Sequence, residues 1–223
     1  LPLLDSGQAE GFLYYVMPFV KGESLRERLT RERELPVPEA ARILRDVADA
    51  LAHAHEAGVV HRDIKPENVM LSGRHAMVTD FGVAKAINAS TGPHHITTAG
   101  VALGTPAYMA PEQAAADPHT DHRADLYALG VLAYEMLTGD PPFGGNSPQA
   151  ILSAQVTQSP VPVTERREMP APLAELVMKC LKKKPADRWQ NAADLLVPLA
   201  SLATPTADLP PTDVTPLVAT GAV

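Results

Sequence analysis

The sequence predicts an α+β fold in which a small amount of β-structure at the N-terminal end leads into a mostly helical body. Three observations carry that prediction. FLYYVM, residues 12–17, is a run of aromatic and branched residues of the kind that favours strands. Residues 38–57 repeat apolar side chains at helical spacing, with Ile43, Leu44, Val47, Leu51 and Ala54 separated by charges. ADLYALGVLAYEMLTG, residues 124–139, is apolar nearly all round, which marks a helix buried on every side.

The elements follow in chain order. LPLLDSGQAEGFLYYVMPFV reads as two strands with a turn from Asp5-Ser6-Gly7 to Gly11. Lys21-Gly22-Glu23 breaks the pattern, and Ser24 to Leu29 reads as a short helix. Pro38 suits the first turn of the long helix and Gly58 its C-terminal cap. Val59-Val60 and Val69 to Leu71 are short apolar runs bracketing a polar cluster, and HAMVTD, residues 75–80, reads as a strand after a turn. Residues 84–104 are small and polar, a loop long enough to be functional. Weaker helices are expected at 147–157, 172–182 and 190–202. From 203 to 223 the chain is a Pro/Thr-rich linker with no core-forming pattern, and no internal repeat is visible.

Composition excludes some function classes. The 223 residues carry a formal net charge of -7, which argues against nucleic-acid binding by bulk electrostatics. It leaves room for an anionic small ligand held by local donors. With one cysteine, Cys180, no internal disulfide can form, which suits a reducing, cytoplasmic setting. Cys180 lies in the apolar-periodic run LAELVMKCL and is expected to be a buried structural thiol. No stretch approaches the roughly 20 apolar residues of a membrane span. The chain opens at Leu1 on an apolar run with no secretory signal, as a cut through a domain would, so an upstream segment is expected.

The chemistry concentrates in VVHRDIKPENVML, residues 59–71. Asp63 can accept a proton or orient a hydroxyl nucleophile. Lys65 can neutralise a phosphate oxygen, and Asn68 offers a neutral oxygen to a hard cation such as magnesium. Pro66 stiffens the loop that holds them in register. Twelve residues beyond Asn68, Asp80 ends a strand in Thr79-Asp80-Phe81-Gly82 and can take the same cation. Gly82 gives the backbone freedom there, and Phe81 can anchor against the core. One base, one lysine and two oxygen ligands are the parts needed for phosphoryl transfer from a magnesium nucleotide.

At these residues the chain resembles the eukaryotic-type serine/threonine protein kinases of bacteria. His61-Arg62-Asp63-Ile64-Lys65-Pro66-Glu67-Asn68 is similar to the kinase catalytic loop, Asp80-Phe81-Gly82 to the magnesium-binding motif, and Ala110-Pro111-Glu112 to the end of the activation segment. The resemblance spans about residues 1–202. It implies a protein-kinase-like fold, with 1–20 as the end of the N-lobe sheet and hinge, 21–202 as the C-lobe and 203–223 as a linker.

It further implies ATP and magnesium as cofactors and protein serine or threonine hydroxyls as acceptors. Asp63 is then the catalytic base, Lys65 the γ-phosphate contact, and Asn68 and Asp80 the metal ligands. Thr105 in GTPAYMAPE should hydrogen-bond near Asp63 and Lys65, a Ser/Thr-kinase pattern. Met17 resembles the gatekeeper, Pro18-Phe19-Val20 the hinge with Val20 as its adenine contact, and Met70 the floor under the adenine. Arg62 beside the base implies activation by a phosphothreonine, with Thr97 and Thr98 as the candidate sites and self-association for trans-autophosphorylation as the route.

Other motif residues are expected to be structural. These are the packed His61, the Glu112–Arg188 ion pair, and Asp125, which should accept backbone N–H groups of the catalytic loop. Metal binding by His53 and His55 is not expected, since positions two apart on a helix face different ways. Glu67 receives no role.

The glycine-rich phosphate loop, the strand lysine and the helix glutamate of kinases do not occur within these 223 residues. The expectation is that they lie upstream and that the isolated chain is inactive. The rival reading is a pseudokinase-type signalling or binding module, against which the intact Asp63, Lys65, Asn68 and Asp80 count. A small-molecule kinase is a further alternative, against which the Asp80 to Glu112 segment counts. A membrane anchor beyond the linker would follow from family analogy alone.

Overall fold

The computed structural model describes residues 4–9, 12–81, 106–145 and 147–202. Gly82, Thr97, Thr98, Thr105, the whole 84–104 loop and the 203–223 linker lie outside the described residues, and with them the expectations placed there.

Strands β1 (Asp5–Ala9) and β2 (Phe12–Val16) pair antiparallel, Gly7 facing Tyr14. The turn expected to start at Asp5-Ser6-Gly7 is therefore misplaced, because those residues are strand. The reason is steric: a Cβ on Gly7 would come within 2.7 Å of the Tyr14 hydroxyl, so the glycine makes room for a cross-strand ring. A second sheet has the order β3 (Glu23–Ser24), β4 (Val69–Ser72), β5 (His75–Val78), all antiparallel. Its first strand falls on Glu23, where only a break was expected. Two residues are too short to show a period.

Helix α1 (Leu25–Glu32) starts at a reciprocal cap. The Ser24 hydroxyl accepts the Glu27 N–H at 3.2 Å, and the Ser24 N–H donates to the Glu27 carboxylate at 2.7 Å. Helix α2 (Val37–Glu56) is 20 residues long, and Gly58 follows it at φ 73, within one residue of the expected bounds. Its buried stripe, Ile43, Leu44, Val47, Ala48 and Leu51, packs on the helix Arg123–Thr138 and strand β5.

Downstream lie α3 (Pro111–Ala114), α4 (Arg123–Thr138), α5 (Pro148–Thr157), α6 (Val163–Arg166), α7 (Ala171–Cys180) and α8 (Leu196–Leu202). The helix expected at 190–202 is a 3-10 turn, Ala192–Leu195, running into α8. Short α3 and α6 escape a periodicity search because neither completes two turns.

Helix α4 is the axis of the fold, with every residue from Ala124 to Leu137 buried. Each fully buried leucine there contributes about 1.5–3 kcal/mol relative to exposure. Helix α7 crosses it where α4 carries Gly130: a Cβ at that position would sit 2.5 Å from the Cys180 Cβ. Cys180 is 0% exposed, and burial pushes its thiol pKa up to about 12. Among the described residues no helix is long and apolar enough to cross a membrane.

Two outcomes check this packing. Gly130→Ala should destabilise the protein by about 1–3 kcal/mol in urea unfolding through overpacking at the α4–α7 crossing. Cys180 should resist iodoacetamide in native buffer and react once the chain is unfolded.

Candidate active site

The loop between α2 and β4 carries three of the predicted catalytic residues, Asp63, Lys65 and Asn68, and each is held by an identifiable contact. Pro66–Asn68 form one turn of 3-10 helix. The Asp63 carboxylate accepts the Lys65 ammonium at 2.6 Å and the Asn68 side-chain N–H at 3.2 Å. That amide also donates to the Asp63 carbonyl at 2.8 Å. With its NH2 group so engaged, the amide oxygen is the atom of Asn68 that remains to meet a cation. Asn68 is 6% exposed, so its position is fixed by packing as well as by these bonds.

Asp80 comes to the same place through the β4–β5 hairpin. Val69 pairs with Val78, and the Thr79 N–H donates to the Asn68 carbonyl at 2.9 Å. The two oxygen ligands expected from sequence therefore flank one hairpin mouth. Asp80 has φ 62, in the left-handed region, and the Thr79 hydroxyl donates to its carboxylate at 3.4 Å. Among the described residues no three His, Cys, Asp or Glu side chains gather into a self-sufficient metal site. An amide oxygen and one carboxylate suit a hard cation that completes its shell with water and phosphate oxygens.

His61 is a frame residue. It is 1% exposed, its Nε2–H donates to the Thr79 carbonyl at 2.8 Å, and its Nδ1 accepts the Asp63 N–H at 3.3 Å. Phe81 meets its ring edge-on at 4.7 Å between centroids. Asp125, 1% exposed in the first turn of α4, accepts the N–H groups of His61 at 2.9 Å and Arg62 at 2.7 Å. A third hydrogen bond, at 2.9 Å, comes from His55 Nε2. Arg62 itself sits at φ 69, a conformation that costs a non-glycine residue about 1–2 kcal/mol.

Comparison with known proteins gives this geometry its family. The protein kinase domain model matches residues 2–197. The chain belongs to the protein kinase family. It is similar to the serine/threonine-protein kinase PknB of Mycobacterium leprae, 41% identical over 197 residues, covering 86% of this chain and 31% of that protein. The serine/threonine-protein kinase pkn3 of Myxococcus xanthus is 41% identical over 201 residues, covering 86% and 37%. A probable serine/threonine-protein kinase of Clostridium perfringens, CPE1738, is 36% identical over 196 residues, covering 87% and 28%. The chain thus spans about a third of the length of these relatives.

Of the residues expected at the adenine and hinge, Met17, Pro18 and Phe19 are exposed, Phe19 at 94%, and Val20 is half-buried. They connect β2 to the second sheet outside any strand. Met70 is half-buried on β4 opposite Met77.

Glu112 and Arg188 form the expected ion pair, two parallel contacts of 2.6 and 2.7 Å with Arg188 2% exposed. The other guanidinium hydrogens go to the carbonyls of Lys182, Lys183 and Arg123. All five donors are satisfied, which is what lets the charge be buried.

Sequence reasoning missed a second arginine. Arg26 on α1 donates to Glu67 at 2.8 Å, Glu135 at 2.8 Å and the Tyr108 hydroxyl at 2.5 Å, and Tyr108 in turn donates to Glu135. Glu67, left without a role, thus ties the catalytic loop to α1. Burial opposes the charge on Arg26, but the Glu135 and Glu67 carboxylates outweigh it and raise its pKa. Burial, with Glu135 alongside, pushes the Tyr108 phenol above its ordinary range. The Ser24-x-x-Glu27 cap signals where α1 begins, but nothing local names partners 41 to 109 positions away.

Arg188→Ala should cost about 3–5 kcal/mol in urea unfolding, because it leaves the Glu112 carboxylate uncompensated. Arg188→Lys should recover less than half of that loss, since an ammonium cannot reproduce the fork or reach three carbonyls.

Proposed function

We propose that this chain is the catalytic lobe of a serine/threonine protein kinase that transfers the γ-phosphate of ATP to protein serine or threonine hydroxyls. The observation that carries the reading is the Asp63 carboxylate, held on a buried frame with Lys65 at 2.6 Å and Asn68 at 3.2 Å. Asp63 accepts a hydrogen bond from the incoming hydroxyl and takes its proton as the new O–P bond forms and the bond from the γ-phosphorus to the β,γ-bridging oxygen breaks, releasing ADP. Lys65 holds that carboxylate in place at 2.6 Å, and its ammonium is within reach of a phosphate oxygen brought to the same point. Asn68 and Asp80 would hold magnesium through their side-chain oxygens. The bound ion would offset charge on the phosphate oxygens. Thr105 is assigned beside Asp63 and Lys65 by its place in the motif, and Met17, Pro18, Val20 and Met70 to the adenine by theirs.

The lysine two positions after the base and the Ser/Thr kinases among the relatives support a protein Ser/Thr acceptor. Regulation fits the same reading. Arg62 is exposed and, among the described residues, pairs with no carboxylate, so a phosphate on Thr97 or Thr98 would find a free guanidinium beside the base. Phosphopeptide mapping of the active enzyme should find at least one of the two modified.

The direct test is transfer of radiolabelled phosphate from ATP to a protein substrate by the full-length protein. Asp63→Asn should lower the rate by about two to four orders of magnitude. A rate unchanged by that substitution would remove Asp63 from the chemistry. The 223 residues expressed alone should bind ATP weakly and transfer no measurable phosphate.

A further inference from the structure

Arg62 is restrained from two sides, and only one of them is explained by the motif. Asp125 fixes its N–H at 2.7 Å. Its carbonyl accepts a hydrogen bond from Gln113 Nε2 at 3.0 Å, across 51 positions of sequence. Gln113 lies in α3, one residue after Glu112, which Arg188 immobilises. Its other amide atom, Oε1, accepts the Ala110 N–H at 3.0 Å. Both ends of one side-chain amide are therefore spent on backbone atoms, one before α3 and one beside the catalytic base.

We propose that Gln113 is a positioning residue for phosphoryl transfer, holding the Arg62–Asp63 peptide so that Asp63 is presented in its working direction. The inference rests on the kinase reading above. The peptide between Arg62 and Asp63 is planar, so fixing the Arg62 carbonyl also fixes the Asp63 nitrogen and the start of its side chain. Arg62 has φ 69 and would relax out of that region if released. The Asp125 contact restrains the preceding peptide, 61–62, and cannot prevent rotation of the next one. On the far side of that peptide the Asp63 N–H has, among the described residues, only a long 3.3 Å contact, to His61 Nδ1. The Gln113 amide is thus the shorter restraint on it. Because the same amide holds Ala110, the order of α3 and the aim of the base are linked through one side chain.

Two substitutions separate this role from general packing. Gln113→Ala removes both contacts. Gln113→Glu keeps an acceptor for Ala110 but turns a carboxylate oxygen toward the Arg62 carbonyl. In the full-length protein both should lower kcat about tenfold while the KM for ATP stays within about twofold. In an Arg62→Gly background, where φ 69 carries no strain, the same changes at Gln113 should cost only about twofold more than that background itself.

A second readout needs no activity. Arg62 is exposed, so trypsin can cut after it once the carbonyl is released. Both variants should be nicked at Arg62 about five times faster than the parent, with unchanged rates at the other arginines. Unchanged nicking together with unchanged kcat overturns the proposal. So does an equal kcat loss in both backgrounds. If the parent shows no transfer above Asp63→Asn, the kinase reading fails, and the nicking rate alone decides the role of Gln113.

Discussion

A carboxylate buried at the start of an otherwise apolar helix is costly unless every lone pair that matters is used. Asp125 meets that condition by accepting three hydrogen bonds, two of them from successive backbone N–H groups of the catalytic loop. Such bonds to a charged acceptor are among the stronger ones available to a protein, and the first turn of α4 favours negative charge. The rest of the site hangs from this contact. With the 61–62 peptide fixed, the His61 ring is placed to meet Thr79 and Phe81, and Thr79 closes on Asn68. Asn68 then returns to Asp63 through its amide. The candidate base, the lysine and the two metal-ligand candidates are ordered by one chain of contacts that begins inside the helical core.

Charged residues around that chain divide by burial rather than by sequence neighbourhood. Glu112–Arg188 fastens the segment after the described turn Pro106–Tyr108 to the far end of the fold. Arg26 gathers α1, the catalytic loop, that same turn and α4 around one guanidinium. Neither arginine touches a predicted reacting group. Both bind neighbouring elements to the helix that carries Asp125, and so make the loop, the turn and α4 one body.

What could be read from the residues alone was what is encoded locally; the distant Glu112–Arg188 pair and the Asp125 contacts were expected through the family resemblance. Helix α2 announced itself through its apolar period and Gly58, and α4 through the absence of any polar face. The candidate catalytic residues could be named because eight consecutive positions, His61 to Asn68, carry most of them, with Asp80 close behind. The turn after β1 was misjudged because Asp5-Ser6-Gly7 has turn chemistry, while the space Gly7 provides is used by Tyr14 on the partner strand. Strand β3, two residues long, exists only through its pairing with β4. The partners of Arg26, His55 and Gln113 were out of reach for one reason: each contact joins residues 41 to 109 positions apart, and no local pattern records it.

The claim on which the account depends is that the Asp125 carboxylate, more than the loop's own turn chemistry, fixes the catalytic loop. Hydrogen exchange of the backbone amides in Asp125→Asn tests it most directly. Peptides covering His61 and Arg62 should exchange about a hundredfold faster than in the parent, while the centre of α4 stays protected. Loop amides that exchange no faster than in the parent would contradict it.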